Sequence, residues 1–272
     1  MAGIRLDKLR ETPLYKKLKG SVDIERRMNL FAERTGLDPQ KDLWQILVVS
    51  NGADTLFLAR GKFSTAGELE PRLGELGKQR TAYKDYSLIG SPRTSVVFMN
   101  PGVAIAGTQT ALKHLIDHRA EYKNLPAEFI AKLKAMPASD QAWVLSSGTL
   151  PGMKSISPDA TGMRSMLSNL VGLISNLQAG FHVDEGVDME ANIDCVSQEG
   201  AQRVRDTAKG LIGLARLKTP DDQMQLLKLY DTVEVDQKDA RVTMQAKFTE
   251  DLIGPLLRLL TEGRGRASQR EP

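Results

Sequence analysis

The chain has 272 residues, of which 41% are hydrophobic and 26% are charged, and this composition excludes disordered, collagen-like and disulfide-scaffold proteins. Its 37 basic and 34 acidic residues leave a formal charge of +3, which argues against nucleic acid or an anionic membrane as the partner. Apolar residues never run uninterrupted for the roughly 18 positions of a membrane-spanning helix, so we expect one large or two small globular domains.

The first half of the chain alternates pairs of strands with single helices. Apolar residues recur at helical spacing over 12–35, and Ser64 caps a second helical pattern that ends at Gly77. Thr108 caps a third helix, which runs from Gln109 to about Arg119. Composition predicts two strands before the second helix, at 43–50 and 55–63. It predicts two more before the third helix, at 83–90 and 94–107, the last of which is broken by a turn at 100–102.

The second half repeats much of this order. Strand composition covers 141–147, and two hairpins are predicted, at 180–184 with 187–196 and at 232–236 with 241–248. Residues 187–195 alternate between apolar and polar without interruption, as a strand does when one face is in the core and the other in water. Ser197 and Thr249 each follow a hairpin and are predicted to cap helices.

We therefore predict an α+β protein with antiparallel sheets, helices on one face of each sheet, and two similar ββαββα halves. The halves are placed at 1–123 and 141–262, with a connecting segment at 124–140, an extra helix at 162–178 and a disordered tail at 263–272. Two similar short sequences support an internal repeat. GKFS at 61–64 and AKFT at 246–249 are each predicted to end a strand and begin a helix.

The usual catalytic signatures are absent from the sequence. It contains no G-x-S-x-G or S-x-x-K nucleophile motif, no phosphate-binding glycine loop and no calcium loop. The single cysteine, Cys195, lies on the apolar side of the alternating strand, where it is expected to be a small core residue. We expect no bound cofactor, and a role other than catalysis is favoured.

Two of the three histidines lie one helical turn apart. His114 and His118 share one face of the predicted helix, with Asp117 between them, and this spacing is that of a helical zinc site. The sequence lacks the glutamate of a metalloprotease motif, and His114 lies off the apolar stripe, so two solvated surface histidines are the simpler interpretation. A metal-assisted hydrolase that uses His114, His118 and a carboxylate is kept as the alternative function.

The segment from Gly162 to Gly180 is the most unusual in the chain. It carries one charge, Arg164, and its apolar residues recur at helical spacing opposite a face of Ser and Asn. A deeply buried helix would account for this pattern, and so would a contact surface for a protein partner or a second copy, since Met-rich surfaces adapt to partners. The predicted partner-binding residues are Met163, Met166, Leu167, Leu170 and Ile174.

Several stretches resemble a group of uncharacterised bacterial proteins that are common in acidobacteria. The similarity lies in AGIRLDKLR at 2–10 with PLY at 13–15, and continues through GLDP at 36–39, ARGKF at 59–63 and VAIAG at 103–107. Members of this group begin with an export signal and a Leu-Pro segment, and both are missing here. The resemblance implies an exported protein and no activity.

The expected function is thus a non-catalytic binding or assembly module of unknown ligand, outside the cytoplasm. Its partner would be another protein or a second copy, rather than nucleic acid, and it would have no membrane span. A periplasmic or secreted location is expected if an upstream signal has been removed, and a cytoplasmic one if the chain begins natively at Met1.

Overall fold

The computed structural model describes residues 1–19, 28–30, 32–33, 36–63, 79–121, 127–148, 170, 172–221 and 223–253. The strands in these residues are Ala2–Arg5 (β1), Leu43–Ser50 (β2), Thr55–Gly61 (β3), Arg80–Tyr83 (β4), Tyr86–Ser91 (β5), Thr94–Asn100 (β6), Val103–Gly107 (β7), Ala142–Ser147 (β8), Ile174–Val183 (β9), Val187–Cys195 (β10), Val233–Lys238 (β11) and Arg241–Phe248 (β12). The helices are Leu6–Leu9 (α1), Pro13–Leu18 (α2), Pro39–Asp42 (α3), Gln109–His118 (α4), Ala127–Ala135 (α5), Gln198–Lys218 (α6) and Met224–Asp231 (α7).

The chain divides into two compact units, and the division lies inside β8. The first unit contains residues 1–11 and 15–144, and the second contains 12–14 and 145–272. Thr12–Leu14 belongs to the second unit, where the Leu14 backbone N–H donates to the Asp184 carbonyl at 2.9 Å.

The first unit is an antiparallel sheet with a helix on one face. From the first residues of β8, its strand order is β8–β1–β2–β3–β7–β6–β5–β4. Helix α4 is capped by Thr108, whose hydroxyl oxygen accepts a hydrogen bond from the Ala111 N–H. Its Leu112 and Ile116 are buried in one cluster with Leu88 and Val97 of the sheet, and this cluster is the larger core of the unit.

The second unit contains a sheet with an apolar inner face and a polar outer face. Its strands follow the order β9–β10–β12–β11, all antiparallel. Ile193 and Val242 on the inner face pack against Ala201 and Val204 of α6. The outer face is polar apart from Gly180 and carries Asn176, Gln178, His182, Asp188, Glu190, Asn192, Asp194, Glu234, Asp236, Lys238, Arg241, Thr243, Gln245 and Lys247. A sheet with one face in water accounts for the alternation in the sequence.

The structure confirms the α+β class and the antiparallel sheets. It also confirms the caps at Thr108 and Ser197 and the two predicted hairpins, which are β9 with β10 and β11 with β12. The repeat of two similar halves stays a prediction. The predicted connecting segment at 124–140 includes α5, and the predicted tail at 263–272 and helix at 64–77 lie outside the described residues.

The first part of β9 was wrongly predicted as the end of a helix. The extra helix was placed at 162–178, but the chain is extended from Ile174 onward. A β-bulge explains the error: Ile174 pairs with Cys195 and Asn176 pairs with Asp194, so Ser175 is left over. The bulge puts Ile174 and Leu177 on the same face of the strand, three residues apart, and this spacing imitates a helix.

A second correction concerns residues 83–90, which were predicted as one strand. The chain turns at Lys84-Asp85 and forms the β4–β5 hairpin instead. Lys84 has a φ of +50°, a left-handed conformation that is uncommon for residues other than glycine. The turn was missed because Lys-Asp lacks the glycine or asparagine by which tight hairpin turns are usually detected.

Candidate binding groove

Helix α6 packs against the core of the second unit on one face and lines a groove with another. It is 21 residues long and is capped by Ser197, whose hydroxyl oxygen accepts a hydrogen bond from the Gly200 N–H at 3.0 Å. With 3.6 residues per turn, Val204, Ala208 and Ile212 lie on one side, and all three pack into the core of the second unit. This packing fixes the helix and leaves its opposite side away from the sheet.

The side of α6 next to its core stripe forms one wall of an open groove with a cavity volume of about 690 Å³. Its other wall is the turn at Leu170 and Leu173, which is held in place because the Val196 N–H donates to the Leu173 carbonyl at 2.9 Å. The α6 residues that line the groove are Arg203, Asp206, Thr207, Gly210, Leu211 and Leu214. Four leucines therefore make the groove mainly apolar.

Space and charge in the groove are distributed unevenly along α6. A Cβ added at Gly210 would meet no atom within 4 Å beyond the backbone of its own helix, so the helix surface is open at that point. Asp206 is bound by its neighbour Arg205, whose Nε and terminal nitrogen donate at 2.9 and 2.7 Å, whereas Arg203 lines the groove as a cation. One turn beyond the groove, Leu217 is 86% exposed and extends the apolar stripe.

The predicted partner-binding residues have different positions in the structure. Leu170 lines the groove and also packs against the core of the second unit. Ile174 lies in β9 and packs against the same core, so it is not on a contact helix. Met163, Met166 and Leu167 lie outside the described residues.

The α6 wall of the groove was missed by sequence reasoning, although a signal for it exists. The sequence predicts a core stripe of Ala201, Val204, Ala208, Leu211 and Ala215 on this helix, but in the structure Leu211 lines the groove. Leu211, Leu214 and Leu217 follow each other at three-residue spacing and lead from the edge of the core stripe, seven residues after Val204, to the exposed side of the helix. A second apolar stripe on a helix whose first stripe already fills the core indicates a further contact surface.

The histidine pair is close in space but does not form a chelate as it stands. The rings of His114 and His118 are stacked, with centroids 4.2 Å apart and planes 27° apart. Because lone pairs lie in the ring planes, nearly parallel rings do not direct two nitrogens at one ion. Asp117, the carboxylate proposed as a partner, instead accepts from the Tyr83 hydroxyl at 2.8 Å and binds Lys84 Nζ at 2.5 Å.

These contacts shift the protonation of all three groups. The hydrogen bonds from Lys84 and then Tyr83 lower the pKa of Asp117. The same carboxylate raises the pKa of Tyr83 and that of Lys84, in each case through the hydrogen bond to Asp117. Asp117 is therefore engaged as an anion in a surface network, and the metal-assisted hydrolase keeps only the spacing of its two imidazoles as support.

Other potential reactive groups are few in the part of the chain that the structure describes. Cys195 is buried in the core, and burial, followed by the charge of Asp194, raises the pKa of its thiol. Among the described residues, no three His, Cys, Asp or Glu side chains are grouped to hold a metal ion. Within the same residues, no helix combines the length and apolarity needed to cross a membrane.

Comparison with known proteins gives a structural similarity without a family. No protein family matches the chain, and no curated protein matches it by sequence. The structure is similar to crystal form III of TP0453, with a TM-score of 0.51 and 9% identity over 94% of this chain and 92% of that one. For crystal form IV of TP0453 the TM-score is 0.51 and the sequence identity is 8%, over 94% of this chain and 91% of that one. At such low identity the likeness concerns the fold alone, and the chain therefore shares the fold of TP0453.

Proposed function

We propose that this protein is a non-catalytic binding or assembly module that receives an apolar helix of a protein partner in the groove of α6. The observation that carries the proposal is the row of Leu211, Leu214 and Leu217 on α6, which leads from the edge of the core stripe to the exposed side of the helix. Helices commonly bind in such grooves through anchors at i, i+3 or i+4, and i+7.

The dimensions of the groove suit side-chain anchors. Its leucines are half-buried, so they form a floor and walls, while Gly210 leaves room for an incoming side chain. Leu217, which is almost fully exposed, would be covered by a helix that continued past the groove. An exposed leucine next to an apolar groove is more typical of a contact surface than of a solvated helix.

We further propose that the module acts outside the cytoplasm and belongs to the exported acidobacterial-type group that it resembles. The support is the sequence similarity at 2–15, 36–39, 59–63 and 103–107. Sequencing the gene upstream of Met1 tests this proposal. An export signal there supports it, and an in-frame stop codon directly before Met1 contradicts it.

The groove is tested by site-specific photocrosslinking in the native host. A benzoylphenylalanine replaces Leu214 in the groove, and a second variant carries it at Gln245, which is exposed on the polar sheet face of the same unit. We expect a protein adduct from position 214 and none from position 245. Leu217→Glu in the first variant should remove the adduct, because a carboxylate would be desolvated beneath the partner helix.

The mass of the adduct identifies the kind of partner. A band at twice the 29.9 kDa of this chain means a second copy, and any other mass means a different protein. The proposal fails if position 214 gives no protein adduct. It also fails if positions 214 and 245 give the same adducts, or if Leu217→Glu leaves the adduct unchanged.

A further inference from the structure

The groove side of α6 has the residue spacing of a helix–helix contact. Its residues follow one another at alternating intervals of four and three, in the order Arg203, Thr207, Gly210, Leu214 and Leu217. Such a row stays on one side of a helix over about four turns. It is the row that a second helix contacts when it packs nearly parallel or antiparallel. The first four of these residues line the groove, and Leu217 is exposed beyond it.

The row changes from charged to apolar along the helix. Arg203 forms the charged end, and Leu214 and Leu217 form the apolar end. Gly210 leaves space between them. At 1.5 Å per residue, Arg203 and Leu214 are separated by about 16 Å, or roughly three turns. A helix that fills the groove and lies over the leucines therefore also covers Arg203.

Arg203 carries an uncompensated charge within the ranges that the structure describes. Asp206, the acid that also lines the groove, is bound by Arg205. Glu199, one turn before Arg203, makes no ion pair with it in those ranges. A cation covered by an apolar helix would lose its water without gaining an acceptor, which is unfavourable. A carboxylate on the covering helix would accept hydrogen bonds from the guanidinium and remove this penalty.

The same row argues against a second copy of α6 as the covering helix. In a parallel pair in register, Arg203 would face Arg203 of the second copy, and the like charges would repel. In an antiparallel pair centred on Gly210, Arg203 would face Leu217, because each lies seven residues from Gly210. Neither arrangement supplies a carboxylate to the guanidinium.

We propose, resting on the proposed function of the groove, that its occupant is an acidic amphipathic helix of a different protein. This helix places apolar side chains over Gly210, Leu214 and Leu217, and an aspartate or glutamate opposite Arg203. Its acid and the residue that contacts Leu214 lie about 11 residues apart in sequence, since both helices rise equally per residue.

Charge reversal in the photocrosslinking variant at position 214 tests this inference. Arg203→Glu should lower the adduct yield by about tenfold or more, because the carboxylate of the partner would then face a like charge. Lys209→Glu is the matched control, since it reverses the same charge at an exposed position of α6 outside the groove lining. It should leave the yield unchanged. Circular dichroism confirms that both variants fold.

The sequence of the crosslinked segment supplies a second test. Mass spectrometry of the adduct identifies that segment, and a synthetic peptide that copies it serves as the probe in a binding titration with the full chain. We expect an Asp or Glu about 11 residues from the crosslinked position. Replacing this acid by Lys should abolish binding to the wild type and restore binding to Arg203→Glu.

The outcomes separate this inference from the proposed function. An absent adduct at position 214 overturns both. Equal adduct yields with Arg203→Glu and Lys209→Glu overturn the acidic helix alone. An adduct with the mass of a second copy does the same, and so does a partner segment that lacks the acid.

Discussion

Asp117 joins two elements that are far apart in sequence. It lies on α4, and the residues that donate to it, Tyr83 and Lys84, lie at the turn of the β4–β5 hairpin. Lys84 reaches the carboxylate from a left-handed backbone conformation. The sequence identifies each residue as polar and exposed, but the contact depends on how the hairpin is placed against the helix.

Asp117→Asn should remove a stabilisation that has a defined pH window. The folded protein lowers the pKa of Asp117, so this contribution is present above the ordinary carboxyl pKa and is lost as pH falls through the lowered one. The raised pKa values of Tyr83 and Lys84 mean that their contributions are lost as pH rises through the raised ones. Urea unfolding should therefore separate wild type and variant most clearly near neutral pH, and less at both extremes.

The absorbance of ionised tyrosine supplies an independent check. In Asp117→Asn, Tyr83 should ionise at lower pH than in the wild type, because the carboxylate that opposes ionisation is gone. Asp85→Asn is the control, since it leaves the Tyr83–Asp117 bond in place. An unchanged titration of Tyr83 in Asp117→Asn would contradict the assignment.

Gly3 is a position where the absence of a side chain is required. It lies in β1, and a Cβ there would be 2.5 Å from Cε2 of Trp143 on the neighbouring strand. Gly3→Ala should destabilise the protein by about 1–3 kcal/mol, because the indole must move out of a packed position. Gly172→Ala, where a Cβ meets nothing within 4 Å, should change the urea midpoint very little. Equal effects of the two substitutions would refute this account.

At the scale of elements, local signals predicted the helices capped by Thr108 and Ser197 and the regularly alternating strand β10. Strands β2 and β12 have the predicted bounds, and α4 begins directly after its predicted cap. The prediction was wrong for the start of β9, because the bulge there moves the apolar pattern by one residue. Helix α7 was not predicted. The side chain of Gln223, the residue before it, makes no capping hydrogen bond, so one of the signals that locate the start of a helix is missing.

The cap of α6 gives a prediction at this scale. Ser197→Ala removes the acceptor for the Gly200 N–H and should lower the free energy of unfolding by about 0.5–2 kcal/mol. Ser197→Asp should retain most of the stability, since a carboxylate also accepts that bond and complements the helix dipole. Chemical denaturation followed by circular dichroism measures both. The cap is unimportant if alanine and aspartate are indistinguishable from serine.

At the scale of the whole molecule, each unit has a core of its own. Leu112 is fully buried in the first unit, and Leu145 is fully buried in the second, in β8. Both positions are apolar in the sequence, yet so is Leu217, which is 86% exposed. Composition therefore establishes that cores exist, and the fold decides which leucines belong to them.

Three leucine truncations test this distribution of burial. Leu112→Ala and Leu145→Ala should each lower the free energy of unfolding by about 2–5 kcal/mol, because each leaves a cavity in a packed core. Leu217→Ala should change it by no more than about 0.5 kcal/mol, as expected for a surface position. Urea unfolding of the three variants under one set of conditions gives the comparison. A cost at Leu217 similar to that at Leu112 would contradict the exposure of α6.

The sequence by itself determined the α+β class, most of the described strands and the helices capped by Thr108 and Ser197, because these depend on period, propensity and hydrogen bonds within a few residues. It also determined that His114 and His118 share a face, since i and i+4 positions on a helix are always neighbours. Only the tertiary structure decided the extended conformation at Ile174, the engagement of Asp117 by Tyr83 and Lys84, and the groove between Leu170 and α6. Each of these depends on contacts between residues distant along the chain, and local periodicity carries no information about them.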